Sequence, residues 1–210
     1  MSKFEQMEKM YVYRLGFWSA IVATILVAIA GSTATASIQP LATLVGFLLT
    51  LSFLVVMACI HSYASDEKKV FSLAGLSFGI VYATLISVNY FIQLTIVRSG
   101  AFDLPIFDMT NTDSMMWVIE ILGYFFLGLA MLSAAPVFGS SKVERLVKWL
   151  FALNGILGIL TPLYYTYVFP IEVAFWGLIV WDVLTPIAAA SLAYLFKQGE
   201  SKTTQVQTDG

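Results

Sequence analysis

Two acidic residues, Asp182 and Glu120, lie inside long apolar segments and are the strongest candidates for a chemical role. Hydrocarbon does not solvate a charge, so an acid inside a membrane-spanning segment indicates a functional site by default. The interiors of the apolar segments contain no lysine or arginine, and we therefore expect both carboxyl groups to stay protonated and neutral at rest. Neutral carboxyl groups suit proton relay, or the binding of a cation or amine that supplies the missing charge. The alternative is a purely structural hydrogen bond to a neighbouring helix.

A proline four residues after Asp182 strengthens the case for that acid. Pro186 has no amide hydrogen to bond the Asp182 carbonyl, so we expect the helix to kink or loosen there. Transport helices assemble ion and proton sites from such freed carbonyls beside polar side chains. Pro162 frees the carbonyl of Gly158 in the same way. For both prolines, the alternative is that a membrane helix tolerates the residue without a functional consequence.

Uncharged polar residues at comparable depths extend the candidate site beyond the two acids. We predict a ligand-binding set of six residues: Asn89, Gln93, Glu120, Tyr124, Asn154 and Asp182. Their depths suggest a polar cavity that opens towards the exterior and narrows inward to Asp182. The set is predicted to contain no catalytic residue and no metal ligand, and no cofactor is predicted for the chain.

The elements that must position these residues are membrane helices. Apolar residues make up 59% of the chain and charged residues 11%, against about 45–50% and about 25% in soluble domains. The apolar runs are continuous rather than alternating, which favours helices over a membrane barrel. The expected fold is an all-α, six-transmembrane-helix bundle in one domain, residues 1–198, with a short surface helix over 1–14 and a disordered tail over 199–210. The predicted spans are about 15–37, 41–63, 70–97, 115–138, 146–168 and 171–196.

The distribution of basic residues predicts how the bundle is oriented. Ten of the eleven lysines and arginines fall on one predicted side, and only Arg98 falls on the other. The positive-inside rule then places both termini in the cytoplasm and the protein in the cell membrane. A basic start followed by an apolar run and Ala34-Thr-Ala36 also resembles a cleavable signal peptide. The long leading region with two glutamates favours a retained first span.

The remaining composition narrows the classes of function. The chain has one histidine and one cysteine, so it lacks the side chains that most covalent and metal-dependent mechanisms require. Its net charge of −2 gives no reason to expect a nucleic-acid partner. We expect a membrane protein that binds, senses or translocates a small molecule, lipid or proton. The alternatives are an intramembrane enzyme that uses Asp182 and Glu120 as general acid and base, and an accessory scaffold subunit. Gly75 and Gly79 are spaced for a homodimer or for packing within the bundle.

Overall fold

The computed structural model describes residues 3–35, 39–98, 105–107, 114–165 and 171–208, and these residues are almost entirely helical. The helices are α1 (Lys3–Thr35), α2 (Gln39–Tyr63), α3 (Lys69–Ile92), α4 (Met115–Ala134), α5 (Lys142–Tyr165) and α6 (Ile171–Thr208). Three short helical turns connect these helices. Asp66–Lys68 follows α2, Pro105–Phe107 lies between α3 and α4, and Ala135–Val137 follows α4. A π-helical turn, Gln93–Val97, extends α3. The all-helical fold class is therefore confirmed.

Five of the helices are long and apolar enough to cross a membrane. The candidate spans are Phe4–Ala30, Pro40–Tyr63, Asp66–Val97, Met115–Val137 and Lys142–Leu163. The outer surface of the bundle carries large apolar side chains such as Trp18, Val70 and Trp149, as contact with hydrocarbon requires. The chain is an integral membrane protein on this basis. The sixth predicted span falls on α6, where the side chains of 171–179 lie outside the described residues, so this span and the cytoplasmic termini stay predictions.

The six helices form a closed ring. Each helix packs against the next in the chain, and α6 returns to pack against α1. Neighbouring helices are antiparallel, because most of the connections between them are short; the connection between α3 and α4 is the longest. The core therefore lies along the ring axis, where each helix contributes buried side chains, among them Ala20, Met57, Tyr82, Leu127, Phe151 and Leu192.

Glycines bring α4 and α5 into very close contact and so fix the position of α4. A Cβ atom on Gly128 would lie 2.6 Å from the backbone nitrogen of Ile159 and 2.7 Å from the carbonyl oxygen of Gly155. A Cβ atom on Gly158 would in turn lie 2.8 Å from the Cα atom of Gly128. Small residues permit this approach, which is how membrane helices gain dispersion energy.

The structure differs from the sequence-based expectation at both ends of the described chain. The segment expected to be a separate surface helix continues into the first span as a single helix, α1. The tail expected to be disordered from residue 199 is helical as far as Thr208. The two extensions support each other, because the Tyr13 ring packs against Gly199, where a Cβ atom would lie 2.5 Å from it.

Prolines lie inside α5 and α6, and two closely spaced glycines lie inside α3. Both α5 and α6 continue through Pro162 and Pro186. Gly75 and Gly79 are buried inside the bundle: Gly75 faces Ala130 and Ala134 of α4, whereas Gly79 faces α2. These contacts are the ones expected for packing within the bundle. A homodimer through Gly75 and Gly79 stays a prediction.

Candidate functional site

The structure brings a buried carboxyl group together with polar side chains of α3 and α4. Asn89 Nδ2 donates to Glu120 Oε2 at 2.7 Å and to the Met116 carbonyl at 3.2 Å. The Tyr90 hydroxyl donates to Glu120 Oε1 at 2.6 Å, and Tyr124 is a further hydrogen-bond partner of the same carboxyl group. We call Asn89, Tyr90, Glu120 and Tyr124 the Glu120 cluster.

Local helix geometry explains why these side chains meet. Ser114 caps α4 by accepting the Trp117 amide hydrogen at 3.3 Å, and Glu120 lies in the second turn of that helix. Glu120 and Tyr124 are four residues apart and share one face. Across the contact, Gly46 of α2 leaves room for the Tyr90 ring, since a Cβ atom there would lie 2.5 Å from it.

One hydrogen-bond acceptor of the Glu120 cluster has no donor among the described residues. Glu120 is 4% exposed and Asn89 is fully buried, yet Asn89 Oδ1 has no hydrogen-bond partner among the described residues. The partners of Glu120 are Asn89, Tyr90 and Tyr124, and no described lysine or arginine pairs with it. A buried acceptor without a donor costs roughly 1–3 kcal/mol. The arrangement therefore favours a ligand that brings hydrogen-bond donors or positive charge.

A central cavity of about 50 Å³ lies at the ring axis. All six helices line it, mostly with apolar side chains such as Ala20, Leu49, Leu127 and Leu192, while Tyr82 and Thr185 add hydroxyl-bearing side chains. Tyr82 and Asn89 are seven residues apart on α3, so they lie on one helix face about two turns apart. The cavity and the Glu120 cluster are thus neighbouring layers of the same interior.

Asp182 lies on α6 about one turn before the cavity-lining Thr185, and its side chain is exposed. Thr185, Ala189 and Leu192 of α6 line the cavity, and Asp182 precedes Thr185 by three residues, which keeps the two on one helix face. The carboxyl group of Asp182 is close enough to Tyr124 to interact with it electrostatically. The acid predicted from its depth therefore lies at the edge of the interior, where it interacts electrostatically with Tyr124, but outside the hydrogen-bond network of the Glu120 cluster as described.

The other two residues of the predicted set make separate contacts. Asn154 is buried, donates to the Leu150 carbonyl at 2.8 Å and accepts from the Thr185 hydroxyl at 3.1 Å, which joins α5 to α6. Gln93 donates to the Phe107 carbonyl at 2.9 Å and holds the turn Pro105–Phe107 on the end of α3. A ligand role for the six predicted residues stays a prediction.

A second buried carboxyl group, Glu144, lies at the opposite end of the bundle and was not expected from the sequence. Its oxygens accept from the Tyr63 hydroxyl at 2.6 Å and from the amides of Gly139 and Ser140 at 2.9 and 2.5 Å. The Glu144 amide donates to the Ser141 hydroxyl at 3.1 Å. The spacing Ser141-Lys-Val-Glu144 is that of a capping box, which is the sequence signal that identifies this role.

The predicted set also omits Tyr90, Tyr82 and Thr185, which complete the interior surface. Tyr82 and Tyr90 are eight residues apart on α3, which is the spacing of one helix face. This spacing and the position of Asn89 could have indicated from the sequence that both tyrosines lie in the interior. Thr185 carries no comparable signal, because its contact with Asn154 depends on how α5 and α6 are rotated.

The described interior therefore offers hydrogen-bond acceptors and apolar surface. Within the described residues, no group of three or more histidine, cysteine or acidic side chains could hold a metal ion. No family model, curated protein or solved structure matches this chain.

Proposed function

We propose that this integral membrane protein binds a positively charged ligand, either a proton or a small cation, at the Glu120 cluster, and that it acts as a carrier or a sensor. The observation that carries the proposal is the unpaired Asn89 Oδ1 beside the buried Glu120 carboxyl group. A cation placed there would satisfy the free acceptor and compensate the carboxylate at the same time.

The contrast with Glu144 supports a ligand role over a purely structural one. Both oxygens of Glu144 accept hydrogen bonds from groups that its own helix terminus and α2 supply. A structural lock built from side chains is expected to satisfy its members in this way, because buried polar groups are normally paired. The Glu120 cluster departs from that rule at one atom, Asn89 Oδ1, whose amide group is bonded to the Glu120 carboxyl group.

The proposal can be tested by measuring how cations change stability. We would record the melting temperature of the full chain in lipid nanodiscs with ammonium, sodium, potassium and lithium chlorides at constant ionic strength, and across a pH series. A ligand that binds the folded state raises its stability by about 2.7 kcal/mol at one hundred times the dissociation constant. We expect at least one cation, or the proton, to shift the wild-type melting temperature and to lose that effect in Glu120→Gln.

Glu67→Gln is the matched control, because Glu67 is an exposed acid in the turn between α2 and α3. This variant should respond to every salt and to pH as the wild type does. Identical responses of wild type and Glu120→Gln to all four cations and to pH would rule out the proposed function.

A further inference from the structure

We infer that the central cavity is a binding site for a small apolar solute, of the size of a diatomic gas or a two-carbon hydrocarbon. This site is separate from the Glu120 cluster. Glu120 lies seven residues before the cavity-lining Leu127 on α4, and Asn89 lies seven residues after the cavity-lining Tyr82 on α3. Both spacings correspond to about two helical turns, roughly 10 Å. The inference therefore does not depend on the proposed cation site.

The polar side chains in the described wall of the cavity have partners elsewhere. The Tyr82 hydroxyl is hydrogen-bonded to Thr50, and Thr50 itself donates to the Gly46 carbonyl at 2.9 Å, so Tyr82 is the donor to Thr50. The Thr185 hydroxyl donates to Asn154 Oδ1 at 3.1 Å. A buried water molecule requires about two to four polar partners. Because both hydroxyl hydrogens are already used, the cavity favours an apolar occupant over water.

The rest of the described wall is apolar and comes from all six helices. It includes Val27, Phe53, Met131, Phe151 and Leu192. Side chains around an empty space lose dispersion contacts on that side, and an apolar occupant restores them. The surrounding bilayer can supply the occupant, since small apolar solutes leave water for hydrocarbon.

The volume of the cavity sets the size of the solute. An engineered apolar cavity of about 150 Å³ in another protein stays dry and binds benzene or xenon. The central cavity measures about 50 Å³. Benzene is a six-carbon ring, so in proportion the central cavity accommodates about two heavy atoms. The alanines Ala20, Ala23, Ala188 and Ala189 create the space, because larger side chains at these positions would fill it.

Xenon is the probe for this site, because it is a single apolar atom that forms no hydrogen bonds. Xenon NMR of the full chain in lipid nanodiscs, with empty nanodiscs as background, measures its binding. We expect saturable binding to the wild type. Ethane should displace the bound xenon, whereas benzene should not, because the ring is too large for the cavity.

Ala189→Val locates the binding in the cavity. The two added carbon atoms occupy the space and should weaken xenon binding by about tenfold or more. Ala23→Val fills the same cavity from α1 and should cause the same loss, so the test does not depend on the folding of one variant. Ala190→Val is the matched control, since Ala190 is the adjoining residue and is exposed; it should bind xenon as the wild type does.

A bound solute should also stabilise the closed ring, because α1 and α6 both line the cavity. A ligand that binds only the folded state raises its stability. We therefore expect xenon to raise the melting temperature of the wild type and of Ala190→Val, but not that of Ala189→Val.

Three results would overturn the inference. They are a lack of saturable xenon binding to the wild type, xenon binding that is unchanged in both Ala189→Val and Ala23→Val, and displacement of xenon by benzene as readily as by ethane. The proposed function is tested with different ligands. A lack of response to cations would rule out the cation site alone, and a lack of xenon binding would rule out the apolar site alone.

Discussion

Two buried glutamates at opposite ends of the bundle each have a tyrosine partner but different surroundings. Glu120 is 4% exposed and Glu144 is 8% exposed, and each accepts a hydrogen bond of 2.6 Å from a tyrosine hydroxyl. Glu144 receives its other hydrogen bonds from backbone amides at the start of a helix, where the helix dipole also favours negative charge. Glu120 has side chains alone as its hydrogen-bond partners, Asn89 and Tyr90 on α3 and Tyr124 on its own helix. The source of the donors therefore separates a helix cap from the group at which we propose that a ligand binds.

Removing the Glu144 side chain tests the structural half of this comparison and should have the largest effect. Glu144→Ala leaves the Tyr63 hydroxyl and the amides of Gly139 and Ser140 without their acceptor. We expect the free energy of unfolding to fall by about 3 kcal/mol, since losing a helix cap costs roughly 0.5–2 kcal/mol and losing a hydrogen bond to a charged group costs roughly 1.5–3 kcal/mol. Denaturant unfolding in mixed micelles measures the change. Glu144→Gln keeps one acceptor oxygen and should lose about half as much; no loss in Glu144→Ala would remove the capping role.

Displacing Tyr90 tests whether the donors to Glu120 depend on packing between helices. Gly46→Ala places a Cβ atom where the Tyr90 ring lies, and overpacking of this kind costs about 1–3 kcal/mol. We expect a loss of about 1–2 kcal/mol, measured by the same unfolding assay. In a Tyr90→Ala background, Gly46→Ala should be neutral or slightly stabilising, because alanine is the better helix former. An equal loss in both backgrounds would contradict the packing contact.

Neutralising Glu120 should have the smallest effect on stability, which is the sharpest difference from Glu144. In Glu120→Gln, the amide oxygen can accept from Asn89 and the amide nitrogen can donate to the Tyr90 oxygen. We expect a change below about 1 kcal/mol in the ligand-free protein, in line with the small value of single interhelical hydrogen bonds in membranes. Unfolding of the two glutamine variants side by side is the measurement. A loss in Glu120→Gln as large as in Glu144→Ala would make Glu120 a structural residue too.

The helices could be predicted from the sequence because apolar length is a strong signal. The predicted span 41–63 corresponds to Gln39–Tyr63, and the predicted span 115–138 corresponds to Met115–Ala134 with the turn Ala135–Val137. Polar segments gave a weaker signal. The tail after residue 199 lacks apolar periodicity, yet it is helical to Thr208 beside the start of α1, a contact between the two ends of the sequence that local pattern does not encode.

The candidate site could be predicted only in part. Asn89, Glu120 and Tyr124 share comparable depths, and the structure places them in one cluster. Asn154 has the right depth too, but its partner is Thr185 rather than an acid. Depth follows from position along a helix, whereas partner choice follows from the rotation of each helix about its axis. That rotation is set by contacts such as Gly128 with Gly155, which involve two helices at once.

The closure of the ring by its first and last helices has a consequence for how the protein is made. Gly16 of α1 packs against Phe196 of α6, so this face of α1 acquires its partner only after α6 has been synthesised. Helices α1 to α5 can associate in sequence as they emerge, since each contacts its predecessor. The interior surface that contains the cavity is completed last, when α6 joins α1. A chain that ends before α6 would therefore expose that surface to lipid and to the quality-control proteases of its membrane.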